Sequence, residues 1–408
     1  MRIVEINMVD YGSTGRIMLG IAATCNAAQI ECYSFSINVG NLSGVATHKY
    51  FSSMFEHKVD YGMSLLFGSD GFHSMIPTRG LLKQIDAIAP DIIHLHNLHG
   101  SYINIPMLFH YCISKKVRIV WTLHDCWSFT GRCPHFQITA CEKWKTGCGK
   151  CRYPRQSYPQ CLFDHSRRMW LKKKRILTAP KDLMIVTPSN WLAGLVKESF
   201  LGKYPVTVIP NGIDLSVFKP LPSEFRKKSG IPDDKFLLLG VAFDWGIRKG
   251  LDVFIELAGR LPQERYQIVL VGTNEKLDRQ LPPGILSIHR TQNQTELTEI
   301  YTAADLFVNP TREDTYPTVN MEALACGTPV LTFRTGGSPE TLDESCGSVV
   351  ACGDVDALEN EIIHICEEKP FTKEACLKRA VQFDMNERFR EYVELYQKGL
   401  WDENSSCE

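Results

Sequence analysis

The 408-residue sequence contains no apolar run near the roughly 18 residues that a membrane-spanning helix needs, so no such helix is expected. It has almost no net charge: 45 Lys and Arg stand against 46 Asp and Glu, giving −1. That excludes a global attraction to nucleic acid, and any anion site has to be local. No export signal is expected, because Glu5 and Asn7 interrupt the N-terminal MRIVEINMVDYG before an apolar core can form. Without export, the 15 cysteines, an odd number, default to reduced thiols. A cluster of them then reads as metal site or core rather than as disulfides. A cytoplasmic protein is expected. There is no internal repeat, and no low-complexity segment beyond the polar end DENSSCE. The G-x-G-x-x-G dinucleotide fingerprint is missing, which weakens a reading as a hydride-transfer enzyme.

What is present is a series of short apolar runs separated by helical patterns. RIVEIN (2–7), ECYSFS (31–36), DIIHLHN (91–97), RIVWTL (118–123) and LMIVTP (183–188) form one series. PVTVIP (205–210), FLLLGVA (236–242), YQIVLVG (266–272), DLFVNP (305–310) and TPVLTF (328–333) form a second. Such runs imply parallel sheets covered on both faces, an α/β protein. Two series predict two doubly wound Rossmann-like domains, 1–205 and 206–382, with the break in the Pro/Asn/Gly cluster at 209–222. The final segment, 383–408, carries Phe389, Tyr392, Val393 and Tyr396 at spacings of three and four. That is an amphipathic helix with one buried stripe, expected to cross back to the N-terminal domain.

The stretch TREDTYPTVNMEALACGTPV (311–330) sits between two predicted strands. Pro317 suits a first helical turn and Gly327 a helix end. A helix beginning near Thr318, at the carboxyl end of a parallel strand, would offer the free N–H groups of Thr318 and Val319 to a phosphate. Asp314 and Glu322 would flank that phosphate, and a carboxylate suits a sugar diol because it accepts two hydroxyls. On spacing alone, Asp314 could equally cap the helix and Glu322 face solvent. Arg248 and Lys249 at the mouth of FLLLGVA could neutralise a diphosphate, or form an ordinary surface pair. Gly12 and Gly15 in YGSTGR (11–16) permit a tight turn and close backbone approach to an anion. His124 ends RIVWTLHD, and His94, His96 and His99 follow the preceding strand; each is a candidate ligand contact or a structural histidine.

Taken together, these residues resemble the family-four retaining glycosyltransferases of the GT-B fold, two Rossmann-like domains with an interdomain cleft. DTYPTVNMEALACGTPV resembles the family's E-x7-E segment, and TPSNWLAGLVKESF (187–200) and VIPNGIDLSVFKP (208–220) its interdomain entry. HDCWSFTGRC is similar to members that build bacterial surface polysaccharides: colanic acid, exopolysaccharide, O-antigen. The resemblance implies that Glu322 binds the nucleotide ribose and Asp314 the donor sugar. It implies that Thr318, Val319 and Lys249 hold the diphosphate, that Gly15 lies in a loop facing it, and that His124 lies beside the sugar. Two departures are visible. The first acid is Asp314, with Glu313 adjacent, so either could reach the sugar. Asp244 occupies the position of the family's Arg, for which Arg248 would substitute. Base contacts are expected near Arg290 and Thr291. The resemblance implies a UDP- or GDP-linked donor, a glycan or polyprenyl-diphosphate-linked acceptor, and no catalytic metal. The alternatives are a nucleotide-sugar epimerase of the same fold, or a zinc-bearing binding protein.

Two segments stand apart. Cys133, Cys141, Cys148 and Cys151, in an insertion at 126–161, have the spacing C-x7-C-x6-C-x2-C of a structural zinc site. His135 or Cys161 could replace a ligand, and free or redox-paired thiols are the alternative. SRRMWLKKKRIL (166–177) carries six basic residues. It reads either as a contact with anionic lipid at the inner face of the cytoplasmic membrane, or as a solvated helix face. Asp354 and Asp356 in GDVDALENEI read as a capped helix start.

Overall fold

A computed structural model describes residues 1–38, 47–151 and 161–397. The polar end at 402–408 and residues 152–160 of the cysteine-rich insertion lie outside that range. The chain divides into two compact units: Met1–Phe136 and Ala140–Pro210 with the chain from Arg388 onward, and Asn211–Glu387 with Gln137–Thr139.

The first unit holds a parallel sheet of β1 (Arg2–Ile6), β2 (Glu31–Ile37), β3 (His48–Ser52), β4 (Ile92–Leu95), β5 (Arg118–Thr122), β6 (Leu183–Thr187) and β7 (Val206–Val208). Their order is β3-β2-β1-β4-β5-β6-β7. The second holds β8 (Phe236–Val241), β9 (Tyr266–Val271), β10 (Ile285–Ile288), β11 (Leu306–Asn309), β12 (Val330–Phe333) and β13 (Gly347–Val350), ordered β10-β9-β8-β11-β12-β13. Strands β1, β4, β5, β6, β8, β11 and β12 are buried almost throughout, because helices cover both faces of each sheet. Both sheets are doubly wound. Their order reverses between β1 and β4 and between β8 and β11, and ligands of open α/β sheets bind outside the carboxyl ends at such points.

One strand falls elsewhere than expected. The run 205–210 opens the second apolar series in the sequence, yet β7 pairs with β6 at Ile185–Val206 and completes the first sheet. The helix Asn190–Glu198 is the crossover that returns the chain parallel to β6. The change of unit therefore comes after Pro210 rather than after 205.

The terminal helix Met385–Gln397 buries Phe389, Tyr392, Val393, Leu395 and Tyr396. Within the first unit Thr122 Oγ1 donates to Tyr392 Oη at 3.2 Å, and Tyr396 Oη lies 2.6 Å from His94 Nδ1. The helix is thus keyed to β4 and β5 by polar contacts as well as by its apolar stripe.

Candidate active site

In the second unit the carboxyl ends of β8 and β11 each feed a loop and then a helix. The loop after β8 ends in a 3-10 turn, Ile247–Lys249, before the helix Leu251–Arg260. The loop after β11 runs to the helix Thr318–Ala325. Arg312 N–H donates to the Arg248 carbonyl at 2.8 Å, and Thr311 Oγ1 donates to the same oxygen at 3.3 Å. The Arg312 guanidinium also forms a two-pronged bridge to Asp252 at 2.7 and 2.8 Å. These bonds fix one loop on the other.

That frame brings Lys249 and Asp314 together. Lys249 Nζ donates to Asp314 Oδ2 at 2.6 Å, with side chains only 19% and 18% exposed. Asp314 Oδ1 accepts from Tyr316 N–H at 3.3 Å. Gly336 makes the arrangement sterically feasible: at φ +53°, a Cβ there would lie 1.6 Å from the Asp314 carbonyl oxygen.

The neighbouring acid points elsewhere. Glu313 is buried, and its Oε1 accepts from the Ile138 N–H at 3.0 Å. Burial pushes its pKa above the usual carboxylate range, against the opposing pull of that N–H and of Arg248.

The helix Thr318–Ala325 starts as expected, with Pro317 one position earlier than anticipated, at the N-cap itself. Pro317 itself makes no side-chain cap hydrogen bond. Glu322, half-buried one turn further in, accepts from Tyr301 Oη at 3.0 Å. A buried polar lattice holds the helix from behind. Asn309 Nδ2 donates to Asn320 Oδ1 at 2.8 Å, and Asn320 Nδ2 donates to Ser338 Oγ and Thr341 Oγ1 at 3.0 and 2.9 Å. All of these residues are more than nine-tenths buried. Sequence reasoning passed over Asn309, Asn320 and Tyr301; a lone asparagine inside an apolar run was the available signal. Arg290 is exposed and Thr291 half-buried, past the end of β10.

In the first unit Gly12 and Gly15 differ from expectation. Gly12, at φ +68°, is the first residue of the helix Gly12–Ala27, and Gly15 lies inside that helix rather than in a loop. A Cβ at Gly15 would come 2.5 Å from the Asp10 carbonyl carbon, so this glycine lets the helix close on the chain leaving β1.

His124 follows β5. Its Nε2 lies 3.1 Å from His96 Nδ1, with the rings within 13° of parallel. Burial lowers its pKa to about 4, aided by His99 and resisted by Asp125. His99 Nε2 lies 2.7 Å from Asp125 Oδ2. Burial opposes charge on both partners, but each partner's charge outweighs it: His99 is raised, and Asp125 falls to about 2.

The described part of the cysteine-rich insertion packs around aromatic side chains. Trp144 lies 5.2 Å, ring to ring, from both Phe129 and Phe136, and its carbonyl accepts from Trp170 Nε1 at 2.9 Å. Cys133, Cys141, Cys148 and Cys151 are half-buried. Among the described residues they do not bring three sulfurs within 4.8 Å of one another; Glu5, His94 and His96 are the group whose ligand atoms do. Burial pushes the Cys148 thiol up to about 12, opposed by the Gly131 N–H and aided by Cys133 and Cys141.

The basic run is the helix Ser166–Leu177. Lys173 departs from the expected exposed face: it is buried, with Nζ donating to the Trp127 and Thr130 carbonyls at 2.6 and 3.2 Å and standing 3.2 Å over the Trp127 ring. Arg167, Arg168, Lys174 and Arg175 are exposed.

Two doubly wound sheets, each switching order where loops gather charged and glycine residues, define a GT-B protein. The chain belongs to the glycosyltransferases: residues 55–217 match the model described as Glycosyltransferase Family 4, and residues 234–368 that described as Glycosyl transferases group 1. Among curated relatives, WcaC of Escherichia coli K12, a glycosyl transferase named for colanic acid biosynthesis, is 26% identical over 328 residues, 76% of each chain. The D-inositol 3-phosphate glycosyltransferase of Corynebacterium jeikeium is 28% identical over 57% of each chain. The lipopolysaccharide glucosyltransferase WaaG of Escherichia coli is 31% identical over 35% of this chain and 42% of its own. The last two alignments span less than two thirds of those relatives. Among solved structures, the sucrose-phosphate synthase of Thermosynechococcus elongatus superposes with a TM-score of 0.71 at 16% identity, over 97% of this chain and 98% of that one. HepE of Anabaena, solved with UDP-glucose, gives 0.68 at 14% over 98% and 100%. At such identities the likeness is one of fold.

Proposed function

We propose that the protein is a retaining, metal-independent hexosyltransferase in bacterial surface polysaccharide biosynthesis. It moves a sugar from a UDP- or GDP-linked donor to a glycan or polyprenyl-diphosphate-linked acceptor. The observation that carries this reading is the Lys249–Asp314 pair just ahead of the helix Thr318–Ala325, which starts after Pro317. In this reading Thr318 and Val319 N–H groups, Lys249 and Arg248 hold the diphosphate. Glu322 takes the ribose, and Asp314, rather than the inward-turned Glu313, takes a hydroxyl of the transferred sugar. Arg290 and Thr291 are assigned to the base. Gly12 and Gly15 shape the turn after β1, and His124 is the first unit's candidate for the sugar.

The sugar's bond to the diphosphate breaks while an acceptor hydroxyl attacks from the same face. Negative charge builds on the leaving phosphate, and donors already in place stabilise it without reorganisation. The leaving oxygen takes the acceptor's proton. A thermal-shift screen with UDP-, GDP-, ADP- and CDP-sugars, followed by assay of nucleotide release, tests this. Stabilisation by none of them removes the reading, and interconversion of the sugar without release favours an epimerase.

An acceptor at an anionic membrane surface is part of the same proposal. Arg167, Arg168, Lys143, Lys150 and Lys172 line a groove of about 1040 Å³, with exposed Leu171 at its edge. The structural zinc reading rests on the C-x7-C-x6-C-x2-C spacing.

A further inference from the structure

Behind His124 runs a line of buried polar groups that the donor site does not use. Glu5 on β1, His94 on β4 and His96 just after it are all fully or almost fully buried. His96 Nε2 lies 3.3 Å from Glu5 Oε2, and His96 Nδ1 lies 3.1 Å from His124 Nε2. His94 belongs to a second line: its Nδ1 meets Tyr396 Oη at 2.6 Å and its Nε2 meets Thr122 Oγ1 at 2.8 Å. Its nearest Glu5 oxygen is 3.6 Å away, outside hydrogen-bond range.

Burial favours the neutral form of each member. It raises the pKa of Glu5 well above the usual carboxylate range, with Cys25 adding to the shift and Cys32 opposing it. It lowers His96 well below the usual imidazole value, with His94 and His124 adding to the shift. Burial lowers His124 as well, with Asp125 opposing the shift and His99 adding to it. A neutral carboxylic acid has one O–H to donate. Given to His96 Nε2, it makes that nitrogen an acceptor and leaves the His96 proton on Nδ1. That N–H faces His124 Nε2, which then accepts, so His124 carries its own proton on Nδ1.

We propose that Glu5, as a neutral acid, and His96 are positioning residues that hold the ring of His124 and fix it as the Nδ1–H tautomer presented to the transferred sugar. This rests on the assignment of His124 to that sugar. The device resembles a carboxylate–histidine pair behind a working histidine, except that the buried member acts as donor and not as anion.

The test is 15N NMR of histidine-labelled full-length protein, with His96→Ala and His124→Ala used for assignment, alongside steady-state kinetics. Glu5→Gln keeps a donor in place of the acid; Glu5→Met keeps volume and removes it. In the wild type both His96 and His124 show Nδ1–H signatures. Glu5→Met shifts both signatures and lowers kcat by about 10- to 100-fold, the usual scale for lost outer support, with donor KM nearly unchanged. Glu5→Gln rescues both. If Gln disturbs the tautomers as much as Met, Glu5 works as an anion and the proposal falls. It falls also if Met leaves them untouched. Should Glu5→Met not fold, the wild-type spectrum decides alone: His124 as the Nε2–H tautomer overturns the relay. Tautomers that respond to Met while turnover ignores both Glu5→Met and His124→Ala leave the relay standing and remove the sugar contact.

Discussion

Lys249 Nζ lies 2.6 Å from Asp314 Oδ2 although 65 residues separate the two in sequence. The contact puts an ammonium group at the mouth of β8 and a carboxylate ahead of the helix that follows β11, on loops already bolted together by the Arg312–Asp252 bridge.

Replacing Lys249 by Ala is expected to lower turnover by about 10²- to 10³-fold, the scale of losing one preorganised donor to a developing charge. The fold is expected to survive, because the bridge between the loops does not involve Lys249. Circular dichroism and nucleotide-release kinetics on the same sample check both halves.

Tyr301→Phe removes the hydroxyl that holds Glu322 while leaving no buried donor unpaired. Nucleotide affinity is expected to fall by about fivefold, near the 1 kcal/mol of one hydrogen bond, with little change in melting temperature. Calorimetric titration with UDP and GDP measures it.

Asp125→Asn tests the His99 pair. Asp125 has a folded pKa of about 2 against an ordinary 3.8, so its contribution is complete above pH 4 and is lost as pH falls toward 2. That shift corresponds to about 2 kcal/mol. His99 is raised, so its share is complete below its ordinary value near 6.5 and fades as pH rises through the folded value. The stability gap between wild type and Asp125→Asn is therefore expected to be widest between about pH 4 and 6.5, read from urea midpoints.

Elemental analysis of protein purified without chelator is expected to give one zinc per chain, lost in Cys148→Ser. A wild type without zinc removes that reading and leaves the aromatic packing around Trp144 as the insertion's staple.

Flotation with anionic vesicles at low salt is expected to carry the protein upward, and Arg167→Glu with Arg168→Glu to abolish it. Failure of the wild type to float removes the membrane contact.

Much of this was legible in the sequence, and the reasons are local. Fully buried parallel strands such as β4 and β8 announce themselves as apolar runs, and the start of the helix at Thr318 is marked by Pro317. β3 and β13 were not anticipated, because edge strands are half polar: HKYFS and GSVV carry no clean pattern. β7 was placed with the wrong sheet since a three-residue strand does not reveal its partner. Which way the adjacent side chains of Glu313 and Asp314 turn is set by contacts with Ile138 and Lys249, both distant in sequence. Lys173 looked like one more surface cation until Trp127 closed over it.

The contacts of Tyr392 with Thr122 and of Tyr396 with His94 join residues 270 and 302 positions apart. A nascent chain that has delivered all seven strands of the first sheet still lacks the aromatic wedge that seals β4 and β5. Synthesis must run through the entire second sheet before that gap is filled. Truncation before Arg388 should therefore weaken the half of the molecule made first, and chaperone dependence during translation is to be sought there.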